Sequence, residues 1–152
     1  MNQALPHIFN RELYLARQSC ASGTNALHEH VAEELLERLS FILKHFSKAL
    51  LISPANDIYT AALLRGGGVD TIEALSPPVG DQLSLTENHY DAIFNILDLQ
   101  CVNDVPGQLA QMARALKPDG ILMVAFFAGD TLSELRQSWL HAESEEIGRA
   151  HV

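Results

Sequence analysis

YDAIFNILDLQCVNDVPGQLAQMARALKPDGILMVAFFAGDTLSELRQSWLHAE, residues Tyr90 to Glu143, alternates apolar runs with helical segments, and its reading decides the fold. Ala92 to Leu97 is short and apolar enough for a buried strand. Asn103 and Asp104 can cap the helix that follows, with Pro106 in its first turn, where a missing N–H costs nothing. Leu109, Met112, Ala113 and Leu116 recur at helical spacing and make one face apolar. Arg114 and Lys117 are expected in the last turn, where positive charge suits the helix dipole. Pro118 disfavours helix at Lys117, and Gly120 is expected to supply the turn. Ile121 to Phe127 reads as a strand buried on both faces, as in a parallel sheet. Thr131-x-x-Glu134 has the spacing of a capping box opening a last helix near Glu143. Strand, helix, strand, helix in this order is a βαβ unit of a doubly wound α/β fold.

The rest of the chain fits that frame. It has 152 residues, of which 47% are hydrophobic, so one domain with a core is expected rather than a disordered chain. A formal net charge of −9 disfavours nucleic acid or anionic membrane as the main partner. Cys20 and Cys101 form no CxxC pair, which suits a reducing compartment. No signal peptide is evident at the N-terminus, the longest apolar run falls far short of a membrane span, and a cytoplasmic location is expected. The seven histidines do not cluster, so no metal site is expected.

Ile8 to Arg17 reads as a short helix and Ser19 to Asn25 as a connection. Asn25 can cap a second helix, in which Leu27, Val31, Leu35, Leu39, Ile42 and Phe46 keep one face apolar. Glu34 and Arg38 pair at i,i+4 on its wet face. Ala49 to Ile52 is the first strand, Asp57 is expected to cap the helix running to Arg65, and Val69 to Leu75 is the second strand. Gly66-Gly67-Gly68 follows a helix and precedes a strand, the wrong order for a phosphate cradle, so it reads as a plain turn. Ser76 to Gly80 is a rigid loop.

The run Leu116-Lys117-Pro118-Asp119-Gly120 after Tyr90-Asp91 resembles the distal half of a class I S-adenosylmethionine-dependent methyltransferase. Val102-Asn103-Asp104-Val105-Pro106-Gly107 and Gly129-Asp130-Thr131-Leu132-x-Glu134-Leu135-Arg136 are more specific. They resemble the bacterial relatives of the mitochondrial complex I assembly methyltransferase-like protein, a family similar to the malonyl-carrier-protein O-methyltransferase of biotin synthesis. The match is dense from Tyr90 to Glu143 and patchy from Ile8 to Leu75.

The resemblance implies a Rossmann-like parallel sheet, here shortened between its second and fourth strands. Only Leu75 to Gln82 separate Ala74 from Leu83, too few residues for a βαβ crossover. The helix usually found there reads as deleted, with Leu83 to Leu85 a remnant of a third strand. The terminal strand hairpin is also expected to be missing. The division expected is a helical segment over 1–47, a methyltransferase-like domain over 48–145 and a non-native tail over 146–152.

The resemblance also places the site. In open α/β sheets ligands bind outside the carboxyl ends of the strands, at the switch point. There the family carries an acid and three glycines after its first strand. By residue-to-residue match these fall on Leu51, Ser53, Ala55 and Asp57, with Pro54 among them. The ribose-binding acid falls on Ala74, beside Glu73. Asn95 opens the end of the strand that would face the reacting group, where Asp98 is the sole carboxylate and Gln100-Cys101 replaces a frequent histidine and aromatic. Asp130 is a weaker candidate for touching substrate. The cofactor implied is S-adenosylmethionine, held by Ser53, Ala55, Asp57, Ala74 and Asn95. With every glycine and acid replaced, binding is expected to be weak or absent. No residue is assigned as catalytic base.

The function implied is an S-adenosylmethionine-dependent methyltransferase-like protein of the complex I assembly type, with a respiratory-complex subunit or a carrier protein as partner. The rival readings are a non-catalytic assembly module on the same scaffold and a hydroxylase of an arginine on a partner protein.

Overall fold

Phe46 to Ile52 is apolar at every position but Ser47 and Lys48, and it forms β1, an inner strand of the sheet. The computed structural model describes residues 7–20 and 26–149. Before β1 come α1 (Arg11–Cys20) and α2 (Ala26–Ser40). After it come α3 (Asn56–Gly66), β2 (Val69–Leu75), β3 (Tyr90–Ile96), a 3-10 turn at Leu99–Cys101, α4 (Val105–Ala115), β4 (Leu116–Ala125) and α5 (Ser133–Arg149). The four strands are parallel, as the sequence reading expects, in the order β2-β1-β3-β4. The chain leaves β1 toward β2 on one side and continues through β3 and β4 on the other. The switch point therefore lies between β1 and β3.

Alternating side chains send two apolar sets to opposite faces. Ala49, Leu51, Ala92, Phe94 and Ile96 pack with Ala32, Leu35 and Leu39 of α2 and Tyr59, Ala62 and Leu63 of α3. Leu50, Ile52 and Ile93 pack with Met112 and Ala115 of α4. No helix follows β2. Residues 76–89 instead run as a loop over the second face, and Leu83 and Leu85 join its apolar cluster. Gln111 of α4 holds that loop, with Oε1 accepting from Leu83 N at 2.7 Å and Nε2 donating to Asp81 O at 3.1 Å. Leu83 to Leu85 is thus a plug for the second face and forms no strand.

Several boundaries differ from the sequence reading. Asn10 Oδ1 accepts from Leu13 N at 3.0 Å, which starts α1 at Arg11 rather than Ile8. The helix α2 closes at Ser40, because Ile42 N turns back to Leu39 O at 2.9 Å. Phe46 belongs to β1, where its N–H donates to Gly68 O, so β1 begins inside the segment 1–47. Leu27 is exposed and His28 takes the buried place beside it. Asn25 lies outside the described residues. The expected Glu34–Arg38 pair is present at 3.8 Å on the exposed face.

The segment 116–120 is not a helix end followed by a glycine turn. Leu116 already pairs with Tyr90, and Ile121 with Ala92, so residues 117–120 bulge out of β4. Asp119 takes the left-handed conformation, with φ 62°, while a Cβ on Gly120 would lie 2.9 Å from Lys117 O. Lys117 reaches back to Asp91 Oδ1 at 2.9 Å, and Asp91 Oδ2 accepts from Lys48 N at 2.9 Å. The Lys117 ammonium, followed by the Lys48 N–H, holds the Asp91 carboxyl below its usual range. Tyr90-Asp91 and Leu116-to-Gly120 are therefore two halves of one device that fixes the register of β3 and β4. Ile121 to Ala125 is only half-buried, because β4 has a neighbour on one side alone.

The expected cap of α4 is present: Asp104 Oδ1 accepts from Gly107 N at 2.8 Å. A Cβ at Gly107 would fall 2.0 Å from the Asp104 carboxylate, so the folded-over cap requires glycine there. Asp104→Ala should lower stability by about 1 kcal/mol, read as a shift of the urea midpoint with unchanged slope. The expected capping box is not formed. The last helix begins at Ser133, after Leu132 at φ 58°, and Glu134 contacts Ser133 rather than Thr131. It continues past Glu143 and residue 145 to Arg149, with Leu135, Trp139 and Leu140 exposed.

His28 Nδ1 and Tyr59 OH lie 2.7 Å apart between α2 and α3, with both residues buried. Desolvation lowers the His28 pKa and raises that of Tyr59. A base whose folded pKa is lowered binds fewer protons in the fold than in the unfolded chain. Its contribution is full above the unfolded value of about 6.5 and is lost as pH falls below it. Wild-type protein should therefore lose more stability between neutral and mildly acidic pH than His28→Gln, measured by urea unfolding across that range.

Candidate functional site: the carboxyl edge of the sheet

The edge is built from the ends of β1, β2 and β3 and from α1, which lies across them. Leu51 is fully buried and belongs to the core facing α2 and α3. Ser53 is buried too, and its Oγ accepts from Ala55 N at 3.2 Å. That bond closes a tight turn on the residue that precedes α3. Ala55 provides no side-chain cap, and Asp57, expected to cap this helix, is exposed one residue inside it. Pro54 offers no N–H.

At the end of β2, Ala74 is exposed and carries no polar atom. Glu73 points to the other face, where Oε2 meets Lys48 Nζ at 3.3 Å. At β2 itself that face is uncovered, and Glu73 is exposed there. Asn95 is fully buried within the contact between β3 and α4, with Nδ2 3.9 Å from Met112 Sδ and Oδ1 unpartnered. Its side chain is turned into the protein, away from the edge. Ser53, Ala55 and Ala74 thus border the edge, Asp57 is exposed in the first turn of α3, and Asn95 is buried against α4.

Beyond β3 the backbone turns sharply. Leu97 takes φ 55°, donates its N–H to Ala125 O at 2.7 Å, and accepts from Tyr14 OH at 3.0 Å and Gln100 Nε2 at 2.8 Å. A left-handed leucine costs roughly 1–2 kcal/mol. The strain carries Asp98 inward, where it is fully buried. Arg11, 4% exposed, meets it with Nη1 2.7 Å from Oδ1 and Nη2 3.3 Å from Oδ2. Burial raises the Asp98 pKa, and the guanidinium pulls it back down. Asp98 is therefore committed to an internal ion pair and is not a free general base. Burial also pushes the Cys101 thiol up, as suits an inert cysteine. Gly129, Asp130 and Thr131 form an exposed turn, in which Asp130 O accepts from Ser133 N at 3.2 Å. Among the described residues, no three His, Cys, Asp or Glu side chains converge on a metal position.

Sequence reasoning missed Arg11. One signal was available: a cation in the first turn of a helix opposes the dipole, so another partner must hold it there.

These residues do not fit S-adenosylmethionine as a doubly wound site would hold it. No glycine brings the first-loop backbone close to a ligand, and no carboxylate stands at the end of β2 for ribose hydroxyls. Leu51 and Ala74, the positions that the resemblance matches to the family's acids, carry apolar side chains.

Comparison with known proteins shows what this chain is similar to. Residues 61–124 match the model of the methyltransferase domain. The chain is 31% identical over 166 aligned positions to the arginine-hydroxylase NDUFAF5, mitochondrial, of Mus musculus, covering 93% of this chain and 48% of the relative. It is 29% identical over 147 positions to the malonyl-[acyl-carrier protein] O-methyltransferase of Halorhodospira halophila, covering 82% of this chain and 49% of that protein. The chain thus spans about half the length of these curated relatives. Among solved structures, the complex of the Haloferax volcanii Trm112 methyltransferase activator with a methyltransferase superposes with a TM-score of 0.57 at 18% identity, over 76% of this chain and 59% of that one. No helix among the described residues is long and apolar enough to cross a membrane.

Proposed function

We propose that this chain is a methyltransferase-like protein of the complex I assembly type, a reading supported by the match of residues 61–124 to the methyltransferase domain and by the likeness of its fold to a methyltransferase structure. The observation that supports this best is the β2-β1-β3-β4 order, with its switch point beside the matched segment. The partner in this reading is a protein, either a respiratory-complex subunit or an acyl-carrier protein of the kind named in one relative. The methyl acceptor is not specified by any residue at the edge.

A second reading is favoured by a specific observation. Leu51, Ser53, Ala55, Asp57 and Ala74 leave the cofactor without its usual anchors, while both apolar faces of the sheet are kept. A scaffold of this kind serves as a non-catalytic assembly module. Hydroxylation of a partner's arginine, the activity named for the mitochondrial relatives, is a third reading of the same fold. Incubation with methyl-labelled S-adenosylmethionine at millimolar concentration, together with extract proteins, separates the first two. Label transferred to a protein supports the methyltransferase reading. No transfer by folded chain supports the assembly module.

A further inference from the structure

The segment 7–18 is tied to the loops that leave β2 and β3 at the carboxyl edge, yet neither apolar cluster includes a described side chain from it. Among the described side chains of the segment, Ile8, Phe9 and Leu13 are exposed, Tyr14 and Leu15 are half-buried, and the fully buried one is the charged Arg11. Polar bonds hold the segment in place. Arg11 ties down two loops at once: Nη1 and Nη2 engage Asp98 after β3, while Nε and Nη2 donate to Pro78 O after β2, at 3.3 and 2.9 Å. One turn on, Tyr14 OH donates to Leu97 O, and the guanidinium carbon lies 5.4 Å from the centroid of the Tyr14 ring. Asn103 completes the attachment. Its Oδ1 accepts from Ile8 N and Phe9 N at 2.8 Å, and its Nδ2 donates to Phe9 O at 3.1 Å.

We propose that Arg11 is the pin of a clasp that holds α1 closed over the carboxyl edge, and that releasing it opens the edge without unfolding the sheet. The physical basis is the division of labour between bond types. Apolar burial is the large, non-directional term that fuses elements into one cooperative unit. The sheet, α2, α3 and α4 share that term and α1 does not. A segment attached by a few directional bonds opens locally when those bonds are lost. The bidentate, desolvated Arg11–Asp98 pair is the strongest of them. Opening also returns both charges to water, so the cost of parting them is offset by rehydration. The inference rests on reading this edge as the ligand-facing one, which the switch-point rule supplies.

The test is native-state hydrogen exchange on the full chain without ligand, comparing wild type with Arg11→Gln, Asp98→Asn and Arg11→Lys. Amides of residues 14–18 and of Cys101 and Val102 should exchange on the order of tenfold faster in the Gln and Asn variants, and by less in the Lys variant, which keeps the charge and loses the fork. Amides of β1 and β3 should not change. Two results overturn the clasp: α1 amides unaffected by both neutral variants, or α1 and sheet amides accelerating in step. Since no cofactor is added, these outcomes are separate from failure of the methyltransferase reading, which labelled-methyl transfer decides.

Discussion

Phe94→Ala should lower the unfolding free energy by about 3–5 kcal/mol, the range for emptying a buried phenylalanine site. Phe94 is 0% exposed at the centre of β3. Its Cα lies opposite Leu51 of β1 and Met123 of β4, and it packs in the apolar cluster shared with α2 and α3. The strands are paired on both sides, so the backbone cannot collapse into the space left behind. For a domain with a total stability of about 5–15 kcal/mol, this is a large share. Leu43→Ala is the matched control, since Leu43 is fully exposed ahead of β1. It should stay within about 0.5 kcal/mol of wild type. Urea unfolding followed by circular dichroism measures both. A cost below about 1 kcal/mol for Phe94→Ala would mean that β3 is not the centre of the packed core.

The succession of strands and helices was legible because it rests on local signals: short apolar runs, a capped helix between two of them, and a spacing after Ala74 too short for a further βαβ unit. The Asp104 cap was legible for the same reason, as cap, proline and glycine all lie within four residues. The β4 bulge was only half legible. Pro118 and Gly120 announce a turn, but which residue takes positive φ depends on Lys117 reaching Asp91, a contact made across the sheet. The capping box at Thr131 failed because its spacing is met by an exposed turn that enters the helix two residues later.

At the candidate site, the absence of glycines and acids was readable directly from Leu51, Ser53, Ala55 and Ala74. The role of Asp98 was not. Its partner Arg11 lies 87 residues away in sequence, and no periodicity connects them. The direction of Asn95 was likewise hidden. Register puts Asn95 opposite Ile52, on the face covered by α4, whereas a position at a strand end reads as edge-facing in a linear sequence.

The sheet is like that of a methyltransferase, while the ends of β1 and β2 offer S-adenosylmethionine neither a glycine turn nor a ribose-facing carboxylate. S-adenosylmethionine carries a charged amino-acid end and a ribose, which this fold engages at the first loop and at the end of the second strand. Leu51 is buried in the core where one carboxylate would serve, and Ala74 presents a methyl group where another would. Each hydrogen bond lost to a charged or ribose group costs about 1.5–3 kcal/mol. Two such losses weaken binding by roughly a hundredfold or more, since about 1.4 kcal/mol is tenfold. Ser53 is buried, its Oγ accepting from Ala55 N, and it carries no charge to replace a carboxylate. Isothermal titration calorimetry of the folded chain with S-adenosylmethionine tests this most directly. The account predicts a millimolar dissociation constant or no measurable heat; a low-micromolar constant would contradict it and show that other residues hold the cofactor.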